Sequence, residues 1–575
     1  MIPVPTTQED LIPFTNDLIE QCNVSVASRT DVYRLLNLIA ETGKYDGSKS
    51  LINLMSTHLQ RCAAHLFSPV ELKFSIDFIN TYPKKFLDMA NVVGRQITRA
   101  WELTSTDKEF GNGVLEALKY GWCGLKQWPQ VEGPPEDERT VYYKKLVLPW
   151  NFGVYNETET DISMQPAICE TTRMTLPEVW RRIYHLPDAQ RLYDNIKEHA
   201  RKGAAITEPQ SYVHQIISTS QLDTGINGST TVRPGGLVQL GANASYMAQS
   251  PQLAADTVEW HELWVQDEND YTTIQMVAPN VIVAPRHKKS NLLGIARQQP
   301  YSTIRPNESV NWFWGRSELV DLVEPQGLLS QWCDDIRRLF GLQIDKILFF
   351  VGEDGITDER YGQMRSAGFG TVGPNSKIED VTPQMPPETM AMLKFVIDII
   401  NMVGSFPEIM QGKGEAGVRA GVHASTLLKT ASPTLRDRAL LVERQCAIAA
   451  DLTLQMREAK DPATYWTKAD DIKQIDESSF KLTDLPEDWR VTVDSHSSSP
   501  IFSDENANLV MAAHKMGIVT KDYVLDTLPF PNKEAARAML VEQEKRQAAQ
   551  MQQLMQQNPE LGEKIVQRQM MGGKR

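Results

Sequence analysis

The chain has 575 residues, with 59 Lys and Arg against 73 Asp and Glu, a formal net charge of −14. That length accommodates three or four domains, and 41% hydrophobic with 23% charged residues excludes wholesale disorder. The acidic balance argues against a conventional DNA-binding face, and no stretch reaches the ~18 consecutive apolar residues of a membrane span.

The first third reads as helical. Val32, Leu35, Leu36 and Ile39 share one face after a candidate cap at Asp31. Leu51, Leu54, Met55, Leu59 and Ala63 repeat the pattern through Phe67. Helices are also expected over 86–101 and 114–125, before Gly133-Pro134-Pro135 breaks the run. The start at Met1-Ile2-Pro3-Val4-Pro5 has neither a basic nor an apolar leader region, so no secretory signal is expected.

From Thr140 the texture becomes β-like. Strands are expected at 141–143 and 146–148, with a turn at Asn151. A short helix follows over 176–184, capped by Thr175. Residues 203–252, rich in Gly, Ser, Thr, Gln and Asn, read as a long surface loop or insertion. Strands resume at 257–265 and 272–283 around a turn at Asp267-Glu268-Asn269-Asp270, an antiparallel unit laid on helices.

Beyond Trp312-Phe313-Trp314-Gly315 the chain returns to helix. Leu319, Leu322, Leu329, Trp332, Ile336 and Leu339 hold one stripe, with Pro325 near the helix start. A Gly/Pro-rich interlude over 351–387 carries β-like fragments. A second helix then opens at Pro386-Pro387-Glu388 and ends at Gly404. Four glycines between Gly412 and Gly421 favour a flexible loop. A third helix, roughly 50 Å long at 1.5 Å per residue, is expected over 425–458 with a kink at Pro433. Strand pieces at 480–482 and 489–493 precede a helical tail from Glu505. No internal repeat is visible.

Catalytic constellations are hard to find. Gly412-Lys413-Gly414-Glu415-Ala416-Gly417 matches GxGxxG, but a helix precedes it where a dinucleotide site needs a strand. No GxxxxGK[ST] occurs. The ten histidines form no HExxH, and His261 reads as a satisfied surface or edge residue of a strand. The six cysteines lack CxxC spacing and read as reduced thiols of a cytosolic chain rather than zinc ligands. Asp334-Asp335 and Asp470-Asp471 sit beside Arg337, Arg338, Lys468 and Lys473, as on solvated helix faces. The reading is therefore non-enzymatic, without cofactor or metal. Two long helices around a small module, followed by a charged glycine loop, suit a ring in which loops project into a channel.

Residues 305–460 resemble the core of portal proteins of tailed double-stranded DNA bacteriophages. The carriers are Trp314-Gly315-Arg316-Ser317-Glu318-Leu319-Val320 leading into Glu324-Pro325-Gln326-Gly327-Leu328-Leu329, and Ser405-Phe406-Pro407-Glu408-Ile409-Met410-Gln411-Gly412. The turn from Gly417 to Leu428 and the segment Ala512-Ala513-His514-Lys515-Met516-Gly517-Ile518-Val519 are also similar. The resemblance implies a mixed α/β, mainly α protomer with an α/β wing (1–315), stem helix 1 (316–345), clip (346–386) and stem helix 2 (387–404). A tunnel loop (405–424), a long kinked wing helix with closing strands (425–500) and a helical crown (501–575) complete it.

The resemblance further implies a homo-oligomeric ring of twelve subunits at one capsid vertex, assembled in the host cytoplasm and retained in the virion. Double-stranded DNA passes through without sequence-specific contacts. Lys413, Glu415, Arg419 and His423 would face it from the tunnel loop. Asp354, Asp358, Glu359, Arg360, Arg365 and Lys377 of the clip would dock terminase and head-tail adaptor or tail proteins. Major capsid and scaffolding proteins are further expected partners, and no membrane is. The alternatives are another ring-shaped head-tail connector without the portal role and, from the enzyme class, a packaging nuclease or NTPase.

Overall fold

Apolar spacing of three and four residues builds α1 (Gln8–Asn23), α2 (Val26–Thr42) and α3 (Leu54–Leu66). The computed structural model describes residues 2–5, 7–44, 50–69, 72–132, 139–205 (except 185 and 187), 254–267, 270–277, 281–288 and 299–344. It further describes 348–351, 377–380, 384, 386–404, 433–460, 464–466, 479–494 (except 487), 510–517, 524 and 539. Asp31 is not a cap: α2 starts five residues earlier, and Asp31 pairs with Arg34 within it at 3.1 Å. Gly43 closes α2 at φ +78°, its N–H donating to the Ile39 carbonyl at 2.8 Å. Asn53 caps α3 by accepting from the Met55 N–H at 3.0 Å.

Strand β1 (Lys73–Phe78) alternates exposed and buried residues and packs against α4 (Lys84–Thr104), which α5 (Thr106–Tyr120) follows. The helix expected to reach residue 125 stops at Gly121, whose φ of +94° ends it. Cys123 instead opens β2 (Cys123–Glu132), which pairs with β3 (Arg139–Val147) along its whole length. The two expected strand pieces at 141–148 are thus largely one strand.

Six further strands make the main sheet: β4 (Phe152–Val154), β5 (Ala167–Thr175), β6 (Arg201–Ala205), β7 (Ala254–Asp267), β8 (Asp270–Val277) and β9 (Val281–Lys288). Their order is β4-β5-β7-β8-β9, antiparallel throughout, with β6 beside β7. Asp267 pairs with Asp270 at the expected turn. Between β5 and β6 run α6 (Leu176–Ile183) and α7 (Ala189–Glu198). The expected cap at Thr175 is present, with its N–H donating to Glu178 at 2.8 Å. Strand β10 (Tyr301–Ile304) returns to β2, giving a second sheet of order β10-β2-β3.

Both faces of the main sheet are covered. On one, Leu11, Leu18 and Cys22 of α1 meet Ala167, Cys169, Leu263, Val265 and Ile274. On the other, Val179, Ile183 and Ile196 of α6 and α7 cover Met174, Val258, Trp260 and Val277. Beside them Trp122, Phe152, Trp264, Tyr301, Phe313 and Trp314 form an aromatic core. Trp122 stacks on Phe152 with centroids 4.9 Å apart and meets Trp314 edge-on at 5.3 Å. Burial of each such ring contributes on the order of 2–3 kcal/mol.

The chain then forms α8 (Val323–Ile344), β11 (Leu348–Val351), β12 (Lys377–Asp380), α9 (Thr389–Val403) and α10 (Pro433–Lys460). Pro433 is the first residue of α10; residues 425–432, and with them the expected kink, lie outside the described residues. Leu435, Ala439, Val442, Cys446, Ala449, Leu452 and Met456 of α10 are buried. Its Gln445 accepts from the Arg305 N–H at 2.8 Å, which ties the helix to the end of β10. Strand β13 (Thr464–Trp466) pairs with β14 (Ser479–Lys481), and β15 (Trp489–Asp494) returns to β1. These elements belong to one unit, 1–417 with 430–493. The second unit comprises 418–429 and 494–575; its described residues include a helical stretch over 510–515 closed by Gly517 at φ +74°. Among the described residues no helix is long and apolar enough to cross a membrane.

Candidate functional site

Two helices bracket the strand pair at the borders of the expected clip segment. Helix α8 leads into β11, which pairs antiparallel with β12 in the register Leu348 to Asp380 and Val351 to Lys377. Helix α9 then returns against α8. Val351 and Lys377, the described residues on either side of 352–376, are therefore partners in a two-stranded sheet. Helix α9 carries one broad apolar arc, buried along one edge and exposed along the other. Val396 and Ile400 are buried, whereas Met392, Phe395 and Met402 are 55%, 64% and 73% exposed. Those three share one face, because 392, 395, 399 and 402 follow the 3-4-3 spacing of a helix-pairing seam.

The root of the hairpin is built from the segment 305–322. The first stem helix was expected from residue 316, yet 316–322 form turns and helix begins at Val323. Gly315 explains the difference. It adopts φ +67°, and a Cβ there would lie 2.6 Å from the Gly121 carbonyl oxygen and 2.8 Å from that of Asn307. The two glycines let the chain ends of α5 and the 305–315 loop touch backbone to backbone. Ser317 extends the contact by donating to the Lys119 carbonyl at 2.6 Å and accepting from the Leu319 N–H at 3.1 Å. Trp314 donates to Glu157 at 2.8 Å, while the Arg29 guanidinium lies 3.5 Å from its ring centroid. Farther along, Gln326 of α8 donates to the Ile52 carbonyl at 2.8 Å and accepts from the Leu54 N–H at 3.2 Å.

Glu318 is the centre of this root. Its Oε2 accepts from Asn307 Nδ2 at 2.8 Å and Arg438 Nη1 at 2.9 Å. Its Oε1 faces His58 Nε2 at 3.4 Å and Cys62 Sγ at 3.9 Å, and those two atoms are 3.5 Å apart. His58 and Cys62 stand one turn apart on α3. A Cβ on Gly404, at the end of α9, would meet the His58 ring at 2.4 Å. The node thus joins α3, the 305–322 segment, α9 and α10. Burial alone would raise the Glu318 pKa, but the His58 hydrogen bond, the Arg438 charge and the Asn307 hydrogen bond outweigh it and hold the carboxyl at about 2. Burial, followed by the Glu318 charge, pushes the Cys62 thiol well up.

A second polar centre joins the two sheets. Lys126 of β2 donates to Glu170 at 2.6 Å and to Glu262 at 2.8 Å, all three being almost fully buried. Tyr301 donates to Glu170 at 2.7 Å and Trp264 to Glu262 at 3.0 Å. Against the cost of burial, Lys126 and Lys145 hold the Glu170 carboxyl at about 2. The arrangement is closed to solvent and clamps the sheets.

His261 corrects an expectation. It lies in the interior strand β7, is only 7% exposed, and its Nδ1 is 3.0 Å from Thr171 Oγ1. Cover on both sheet faces removes the surface position that alternation suggested. Burial lowers its pKa. Asp334 and Asp335 are exposed on α8, and Asp334 pairs with Lys44; Asp470 and Asp471 lie outside the described residues. All six cysteines are buried and none is bonded to another.

Of the expected site residues, Lys377 is placed at the start of β12. Asp354, Asp358, Glu359, Arg360 and Arg365 of the clip, and Lys413, Glu415, Arg419 and His423 of the tunnel loop, lie outside the described residues. So does 206–252 of the expected insertion, while its first residues belong to β6. Sequence reasoning missed the His58–Cys62–Glu318–Arg438 node, since 256 residues separate Cys62 from Glu318. A legible local signal was the His-x3-Cys spacing on a helix. No protein-family model and no curated protein matches the chain.

Proposed function

We propose that the chain is the protomer of a phage portal: a non-enzymatic ring at one capsid vertex through which double-stranded DNA is packaged and ejected. One observation carries the reading. The α8–β11–β12–α9 hairpin bears an apolar seam on α9 that its own chain leaves exposed. A helix whose apolar arc is wider than one neighbour covers needs a second, and α8 supplies the first. A second copy of the same hairpin supplies the other, and head-to-tail repetition of such a contact closes into a ring.

The order of helix, strand pair, helix and long buried helix suits stem, clip, stem and wing helix in that sequence. In this reading 352–376 forms the outer part of the clip, which docks terminase and the head-tail adaptor. The 405–424 loop meets DNA, and major capsid and scaffolding proteins surround the ring. A protomer at −14 gives the ring a mostly repulsive field toward phosphates, which limits grip and permits sliding. Mass photometry tests the assembly: the expected outcome is a closed species near twelve times 64.9 kDa. A 64.9 kDa species alone, across concentration and salt, overturns it.

A further inference from the structure

We propose that His58, Cys62 and Glu318 form a three-ligand site for a zinc-class divalent cation, with a bound water completing the tetrahedron. Tetrahedral zinc, with bonds of roughly 2.0–2.3 Å to N, O and S, holds its ligands about 3.4 Å (N to O) and 3.6 Å (N to S and O to S) apart. The three donor atoms here are 3.4, 3.5 and 3.9 Å apart in the same order. A cation at their centre therefore needs shifts of a few tenths of an ångström. All three groups converge within 4.8 Å of one another.

The surroundings fit as well. His58 and Cys62 sit at i and i+4 on α3, so one helix face presents both. Glu318 offers Oε1 to the site while Asn307 and Arg438 bind Oε2, the outer-shell arrangement that orients a ligating carboxylate. A cleft of about 410 Å³ reaches Glu318 and is lined by Glu308, Glu318, Asp321 and Asp437 against Arg316 and Arg438. Its excess of carboxylates attracts a cation toward Glu318. One nitrogen, one sulfur and one oxygen favour zinc over calcium or magnesium, which take oxygen ligands. On binding, the Cys62 thiol releases its proton to solvent and coordinates as thiolate. His58 coordinates through the Nε2 lone pair with its proton on Nδ1. The site ties α3 to the root of the hairpin, and it does not depend on the chain forming a ring.

The test uses the full chain, stripped with chelator and reloaded with Co²⁺ as the probe. We expect one cobalt per chain, a thiolate-to-cobalt charge-transfer band in the near ultraviolet, and displacement of both by Zn²⁺. Cys62→Ser removes the band, Cys446→Ser leaves it unchanged, and Asn307→Ala weakens cobalt binding about 10–100-fold. X-ray absorption of the zinc-loaded wild type, which needs no variant to fold, should show one sulfur among four ligands. No thiolate band in the wild-type chain, a band that survives Cys62→Ser, or a zinc shell with no sulfur or with several overturns the proposal.

Discussion

Lys126 is the residue on which the joint between the two sheets turns. Its ammonium holds Glu170 and Glu262, and removal of one member of a buried ion cluster typically costs about 3–5 kcal/mol, because the remaining charges stay buried without their partner. Lys126→Met should therefore lower the urea midpoint sharply at pH 7. The pH dependence has a definite sign. Glu170 titrates at about 2 when folded, below the ~4.3 of an unfolded glutamate, so its stabilisation is complete above about pH 5 and is lost as pH falls toward 2. In Lys126→Met, burial acts on Glu170 without that cation, so the deficit of the variant should shrink below about pH 4. An equal deficit at pH 7 and pH 3.5 would show that lost packing, not charge, accounts for the change. Tyr301 and Trp264 also bond these carboxylates, which restrains them in either form.

At the scale of elements, α9 in the proposed ring separates what the chain needs for itself from what it would offer to a neighbour. Val396 and Ile400 are buried in the chain's own fold, whereas Phe395 and Met402 are more than half exposed. Phe395→Glu with Met402→Glu should leave the circular dichroism and melting of the chain nearly unchanged. The ring should be lost, because burial of each such side chain contributes roughly 1.5–3 kcal/mol and the contact recurs at every protomer. Mass photometry alongside a melting curve reads both effects, and intact rings in the double variant would remove α9 from the contact. The boundaries of α9 were nearly legible beforehand: 387–404 was expected and Thr389–Val403 is observed. The start of α8 was not, since Gly315 and Ser317 set up turns through long-range contacts with Gly121 and Lys119. Strands β2 and β5 escaped the reading because both faces of their neighbourhoods are covered, which blurs the alternation that marks a half-buried strand; β1, with Phe74 and Ile76 buried between exposed neighbours, carries that alternation and was passed over.

For the whole molecule, the proposed function requires an acidic ring to handle a polyanion. The 405–424 segment carries Lys413 and Arg419 in a chain whose net charge is −14. A pair of cations can touch phosphates transiently without reading bases. Lys413→Ala with Arg419→Ala is expected to give normal rings and procapsids but altered packaging or retention of DNA, with unchanged sequence preference. Full packaging and retention by that double variant would remove these residues from the channel. Because the same preparation is scored for ring formation, a failure of assembly is distinguished from a failure of transport.

The sequence by itself determined the helices over 54–66, 176–183 and 389–403, the hairpin turn at Asp267–Asp270 and the Thr175 cap. Each rests on spacing or on a bond within four residues, so local chemistry suffices. Tertiary structure alone decided the burial of His261, the Gly121–Gly315 contact and both polar centres. Lys126 meets Glu262 across 136 residues, and His58 meets Glu318 across 260. Such groups are ordinary charged or polar residues in their own segments. They become a clamp and a polar node only when sheets and helices from distant parts of the chain bury them together, which strengthens every charge and hydrogen bond they share.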